Sequence, residues 1–397
     1  MGFVDLFCAA SMPVMKVLIV TALGSFLALD HIDILGQTTV KQLNNIVFFV
    51  FNPALVGSNL ATTITYESIR SMWFMPVNIV VTFIIGSALG WVLMLITRPP
   101  QHLKGLIIGA SAAGNLGNLP LIIIPAVCKE KGSPFGDPDV CHQYAMAYAS
   151  LSLAIGAVLL WAYVYNLVRL FSSPSQDSIN IVETATIQQD LTRSLLPSSS
   201  SPSPSPSSTN KGKVMLDVMK QHFHNFSKRI NLRAIFAPST IGAIVGFVIG
   251  TIAPMRRLLI GTTAPLRVIQ DSASLVGDAA IPTVTLIVGG NLLRGLKGSG
   301  ISLRIVFGIV AVRFVFLPLC GILIVKGALY LGLVHADPLY IFVLLLQYAL
   351  PPAMNMGTIT QLFGAGQSEC SVIMLWTYSL ASISLTLWST FFMWLVA

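Results

Sequence analysis

Ten stretches of the chain are each long and apolar enough to cross a bilayer as a helix: residues 5–29, 38–62, 71–97, 104–127, 143–170, 234–253, 264–293, 300–331, 338–362 and 368–396. A spanning helix needs about 20 mostly apolar residues, and no water-soluble core can hide so many of them. Composition agrees. Apolar residues make up 54% of the chain and charged residues 10%, with a mean hydropathy of +0.79, whereas a soluble domain carries roughly a quarter charged residues. The runs are too continuous for an outer-membrane barrel, whose strands read as short alternating segments. The chain is therefore expected to be an all-α polytopic membrane protein, which excludes a soluble enzyme, a disordered regulator and a nucleic-acid reader. Lys41, Asn44 and Asn45 interrupt the second stretch, and Asp271 and Asp278 the seventh. A signal peptide is disfavoured for the first stretch, because apolar residues also precede Lys16 and the run ends in Asp30 and His31.

Between the fifth and sixth stretches the composition changes. Residues 194–209 hold nine Ser and four Pro, too little apolar surface to fold. The chain thus divides into a five-helix unit (1–170), a Ser/Pro-rich loop (171–232) and a second five-helix unit (233–397). Within the loop, Met215, Val218, Phe223, Phe226 and Ile230 recur at near-helical spacing among Lys220, Lys228 and Arg229. That pattern suits a basic helix on the membrane surface or an unstructured tether. With ten crossings, the loops of one side carry fourteen Lys and Arg and those of the other seven. The positive-inside rule then places the central loop in the cytosol and both termini across the membrane. The net charge of +8 bears on this orientation and not on a nucleic-acid partner.

The two units share landmarks in order. Pro13 pairs with Pro238, Pro53 with Pro282, Gly90 with Gly321, Asn118 with Asn355 and Trp161 with Trp388, at separations of 225 to 237 residues. An internal repeat with an odd number of crossings inserts its second copy inverted, an architecture common in secondary transporters.

The fourth stretch of each unit is interrupted. The first reads Ala113-Gly114-Asn115-Leu116-Gly117-Asn118-Leu119-Pro120, and the second Leu350-Pro351-Pro352-Ala353-Met354-Asn355-Met356-Gly357. Gly and Pro in mid-span break the helical ladder. Open backbone at membrane depth survives only when buried in protein or lining a cavity, and matched breaks in two repeats point to a transport site. Each break starts a new helix whose N–H groups and positive dipole end favour an anion. Candidate substrate residues are Asn115, Asn118 and Pro120 in the first break, and Pro351, Pro352 and Asn355 in the second. Gln347 and Tyr348 immediately precede the second break and either touch substrate or pack. An organic acid with an apolar body suits this site.

The Gly114–Pro120 and Leu350–Gly357 motifs, the run Gly277-Asp278-Ala279-Ala280-Ile281-Pro282 and the five-plus-five layout resemble the PIN-LIKES carriers of plants, relatives of the PIN auxin efflux carriers. The resemblance covers both membrane units. It implies a carrier in the endoplasmic-reticulum membrane that moves auxin, indole-3-acetic acid, between cytosol and lumen. It also implies crossed fourth and ninth helices, with a mobile domain beside a scaffold of helices one, two, six and seven. A carrier of another organic acid and an anion channel are the alternatives, and a homodimer is left open.

Ionisable groups within spans are functional candidates by default. Lys16 and Asp278 could pair, or Asp278 could carry a coupling proton. Arg313 reads as a snorkelling or structural residue, and Asn44 and Asn45 either line the cavity or bond neighbouring helices. Cys128 and Cys141 flank the loop after the fourth stretch, on the lumenal and hence oxidising side by the charge count. Gly132, Pro134, Gly136 and Pro138 let that loop turn back, so a disulfide is expected, while Cys8, Cys320 and Cys370 are scattered. The six His residues lie in loops or near span ends, and no catalytic, metal or cofactor motif appears.

Overall fold

The structure is a computed structural model that describes residues 3–65, 70, 72–130, 133–172, 238–296 and 300–396. Among these residues it is helical throughout, with no strand beyond one isolated bridge. In lipid every backbone polar group must be satisfied internally, which an apolar run achieves only as a helix when it has no closed sheet to join. In the first unit the helices are α1 (Phe3–Leu27), α2 (Gln37–Thr63), α3 (Phe74–Thr97), α4 (Gln101–Ala112), α5 (Asn118–Lys129) and α6 (Pro138–Ser172). In the second they are α7 (Pro238–Thr251), α8 (Ala253–Leu259), α9 (Arg267–Asp278), α10 (Ala280–Leu296), α11 (Leu303–Tyr330), α12 (Pro338–Ala349), α13 (Met356–Phe363) and α14 (Gln367–Val396). Almost all of the 171–232 loop, including its candidate surface helix, lies outside the described residues.

Among the described residues, six helical spans are individually long and apolar enough to cross a membrane, or seven when α7 and α8, bent by 100°, count as one. The apolar helices Val14–Leu27, Asn118–Lys129 and Pro338–Ala349 are shorter. The fourth and ninth sequence stretches are each split, into α4 with α5 and α12 with α13. The fifth begins earlier than expected, because Asp137 accepts from the N–H groups of Asp139 and Val140 and Pro138 opens the helix. Asp337 and Pro338 open α12 in the same way. Single π-turns lie within α2 (Val47–Phe51), α6 (Leu160–Val164) and α11 (Val312–Phe316).

Two helix groups emerge from the packing. In the first, α1 lies on α10, and α2 lies on α7 and α9. Backbones meet closely there: Gly289 lies against Thr21 and Ser25, whose Oγ donates to the Gly289 carbonyl at 2.8 Å, and Gly246 lies against Gly57. In the second group α3 packs on α4, α11 on α12, and α6 and α14 flank the breaks. A methyl on Gly90 would meet Ser111 Cβ at 2.8 Å, and one on Gly321 would meet the Tyr348 ring at 2.5 Å. The sequence-paired glycines therefore each sit at a close helix seam, α3 on α4 and α11 on α12.

Candidate functional site

The two breaks meet and bond to each other. Asn115 N–H donates to the Pro351 carbonyl at 2.8 Å, and Ala353 N–H donates to the Ala113 carbonyl at 2.9 Å. Gly114 and Pro352 thereby form an antiparallel bridge. Backbone groups that a continuous helix would have satisfied along its own axis are satisfied across the crossing instead. Pro351 and Pro352 hold their segment extended and are buried, and both of their carbonyls accept hydrogen bonds.

Asn115 holds this geometry. Its Oδ1 accepts from Asn118 N–H at 3.2 Å, capping α5, and its Nδ2 donates to Tyr378 Oη at 3.0 Å. Tyr378 in turn donates to the Pro352 carbonyl at 2.8 Å. Asn118, the first residue of α5, is less committed: its Nδ2 reaches only Met354 Sδ, at 3.5 Å. Asn355 is the N-cap residue of α13, without a side-chain cap bond, and is half-buried. Several of the N–H groups expected to be free are in fact taken. Asn118 uses its own on Asn115, and Met356 and Gly357 donate theirs to the Ala353 and Met354 carbonyls at 3.0 and 3.3 Å. What the crossing offers an anion is then mainly the dipole of two helix starts and the Asn118 amide.

Pro120 is the third residue of α5. A missing N–H costs little in a first turn, so the break is made by residues 113–117, with Gly114 and Gly117, and Pro120 follows it. Gln347 and Tyr348 resolve toward packing. Both are buried; Gln347 accepts from Asn78 Nδ2 at 2.8 Å and donates to Ser152 at 3.2 Å, and Tyr348 donates to Asn78 Oδ1 at 3.0 Å. Asn78, which ties these together from α3, escaped sequence reasoning because nothing near it in the chain marks it.

A polar cavity of about 700 Å³ reaches Gly357, in the first turn of α13. Its lining includes Lys41, Asn44, Asn291, Gly357, Gln361 and Gln367. A separate pocket of about 20 Å³, which shares Asn291, Gly357 and Ser371 with it, reaches Met354. On the other side of the crossing, an apolar pocket of about 60 Å³ is lined by Val14, Thr21, Leu119 and Tyr378, among others. Asn44 donates to Gln361 Oε1 at 3.3 Å and accepts from Thr358 at 3.4 Å, whereas Asn45, next along the helix, is exposed.

The Lys16–Asp278 pair does not form. Both side chains are exposed on the helix surface, and Asp271, earlier on the same helix as Asp278, pairs with Arg267 at 2.9 Å. Val14, Val17 and Thr21 take the inner face of α1, which turns Lys16 outward. Gly277 lies against the Leu55 backbone, which turns Asp278 outward. Of the two readings of Arg313 the structural one fits: it does not snorkel but is 0% exposed beside the crossing. Its mid-span position was the sequence signal for it. Cys128, at the end of α5, and Cys141, in the first turns of α6, form a disulfide with Cα atoms 5.6 Å apart.

Comparison with known proteins gives a concordant result. Residues 9–389 match the family described as Membrane transport protein. The chain is 56% identical to Protein PIN-LIKES 3 of Arabidopsis thaliana over 393 residues, 99% of each chain. It is 56% identical to Protein PIN-LIKES 1 of the same plant, over 100% of this chain and 81% of that one. Protein PIN-LIKES 4 is 50% identical, with 100% of both chains covered.

Proposed function

The chain belongs to the PIN-LIKES group of membrane transport proteins, and on that premise we propose that it is an intracellular carrier of auxin, indole-3-acetic acid. It works in the endoplasmic-reticulum membrane, moving the organic anion between cytosol and lumen by alternating access. The observation that carries this reading is the crossing of two broken spans, with a cavity of about 700 Å³ that reaches Gly357 in the first turn of α13, a size suited to a small-molecule site. Asn118 and Asn355, at the two helix starts, are the substrate contacts. Asn115, Pro120, Pro351, Pro352, Gln347 and Tyr348 shape and support the crossing.

Ten crossings in two inverted five-helix units underlie it. In support, α1 on α10 joins helices one and seven, and α2 on α7 joins two and six, which is the same contact exchanged between repeats. Helices one, two, six and seven form the scaffold, and the crossing belongs to the moving domain. The cavity mouth lies beside Gln37 and Lys41, after the first helix, and Gln367 and Ser368, after the ninth. Both loops belong to the charge-rich side, so the cavity opens to the cytosol under the positive-inside orientation. Asp278 is kept as the candidate coupling group.

Uptake of radiolabelled indole-3-acetic acid into vesicles holding the protein tests this, with aromatic and aliphatic carboxylates as competitors and the proton gradient present or collapsed. Saturable uptake competed best by aromatic acids is expected. Non-saturating flux makes the protein a channel, and saturable uptake indifferent to the indole acid makes it a carrier of another acid.

A further inference from the structure

Arg313 is fully buried in the π-turn of α11. A buried cation normally requires a carboxylate partner, yet no acidic residue among those described lies within ion-pair distance of it. Its partners are backbone carbonyls. Nη1 donates to Ser111 at 3.2 Å and to Ala112 at 3.4 Å, and Nη2 donates to Pro351 at 3.1 Å. Ser111 and Ala112 end α4, and Pro351 lies two residues past the end of α12.

The Ser111 and Ala112 carbonyls are the negative end of the α4 dipole, and the Pro351 carbonyl lies just beyond that of α12. A crossing of two broken helices gathers four ends: two C-terminal ends of about −0.5 charge each, and two N-terminal ends of about +0.5. Left alone, the four cancel and the crossing has no preference for an anion. The guanidinium offsets the α4 end directly and, held on Pro351, sits just beyond the α12 end, so the starts of α5 and α13 are less opposed. The chain also keeps room for it, since a methyl at Gly114 would meet Nη2 at 2.5 Å.

We propose that Arg313 is the positioning residue that makes the crossing select an anion over its neutral analogue, by neutralising the carbonyl end of α4 and the Pro351 carbonyl just past α12 and not by touching substrate. This rests on the crossing being the substrate site. The test is equilibrium binding of indole-3-acetic acid and of indole-3-acetamide to full-length protein in nanodiscs, for wild type, Arg313→Lys, Arg313→Gln and Gly114→Ala. Wild type is expected to favour the acid. Arg313→Gln should cut the acid-to-amide preference about tenfold, mostly through the acid, while Arg313→Lys retains most of it. Gly114→Ala, which pushes the guanidinium off Pro351, should shift the preference in the same direction as Arg313→Gln. A folded Arg313→Gln protein with the wild-type preference overturns the proposal. If Arg313→Gln does not fold, Gly114→Ala decides: a lowered preference supports the proposal and an unchanged one overturns it. Wild type that binds the amide as tightly as the acid overturns both this and the carrier function, whereas an acid-selective wild type with unmoved variants overturns this alone.

Discussion

Replacing Asn115 and Asn118 by Ala separates two residues that look equivalent in the chain. Asn115→Ala removes the cap on Asn118 N–H and the bond to Tyr378. A lost N-terminal cap costs about 1 kcal/mol, and a lost buried hydrogen bond costs about 1 kcal/mol more. The Tyr378 hydroxyl keeps its bond to Pro352, so it is not orphaned and the total stays near 2 kcal/mol. Asn118→Ala removes one long contact to Met354 sulfur and should cost well under 1 kcal/mol of stability. If Asn118 donates to a bound carboxylate, however, its loss costs binding about 1.5–3 kcal/mol, or roughly one to two decades in Kd. The assay pairs thermal unfolding of purified protein in detergent with binding of indole-3-acetic acid. Asn115→Ala should melt earlier, and Asn118→Ala should melt like wild type and bind 10- to 100-fold more weakly, by about the decades just given. An Asn118→Ala protein that binds as tightly as wild type, or that melts as early as Asn115→Ala, refutes the assignment.

Other consequences follow from the packing and the charges. Gly321→Ala drives a methyl into the Tyr348 ring and should lower stability by about 1–3 kcal/mol, seen as reduced monodisperse yield, whereas Gly327→Ala, in open space on the same helix, should not. Non-reducing peptide mass spectrometry should recover Cys128 linked to Cys141; two free thiols in rapidly alkylated protein contradict the pairing, and breaking it with Cys141→Ser should cost about 3 kcal/mol at most. Lys16→Gln and Asp278→Asn should each express and purify like wild type, since neither side chain is buried. Asp278→Asn should lose the response of uptake to a proton gradient; normal uptake at every pH and gradient eliminates it as the coupling group.

The breaks were legible because Gly and Pro act without a partner: Pro351–Pro352 cannot continue the helical hydrogen-bond ladder, and Gly114 and Gly117, clustered with two Asn, weaken it. The helices were legible because apolar length needs no tertiary context. Side-chain commitments were not. Gln347 and Tyr348 look available beside the second break, yet Asn78 consumes both, across a separation of more than 260 residues that no local pattern reports. Asn115 and Asn118 differ only in which group each faces, and Tyr378, which decides that, sits in the last helix. Lys16 and Asp278 looked like a pair because each is costly in lipid. Helix phase, set by Thr21 on one element and Gly277 on the other, turns both away.

Arg313 shows the same limit in its strongest form. A sequence reader seeks a carboxylate for a buried cation, and none of the described acids serves. Its counter-charge is carbonyl ends of the two breaks, which exist only once the helices cross. The arrangement also bears on turnover. A guanidinium exposed to the substrate path would form a bidentate pair with a carboxylate, among the strongest bonds a protein makes, and a carrier must release what it binds. On the proposed reading, spending the cation on Ser111, Ala112 and Pro351 would leave the anion only diffuse dipole ends and the amides of Asn118 and Asn355. Potential of that kind attracts a carboxylate into an apolar protein without fixing it there. It also depends on the geometry of the crossing, so any motion that moves α4 and α12 relative to α11 changes the affinity for the anion as it moves.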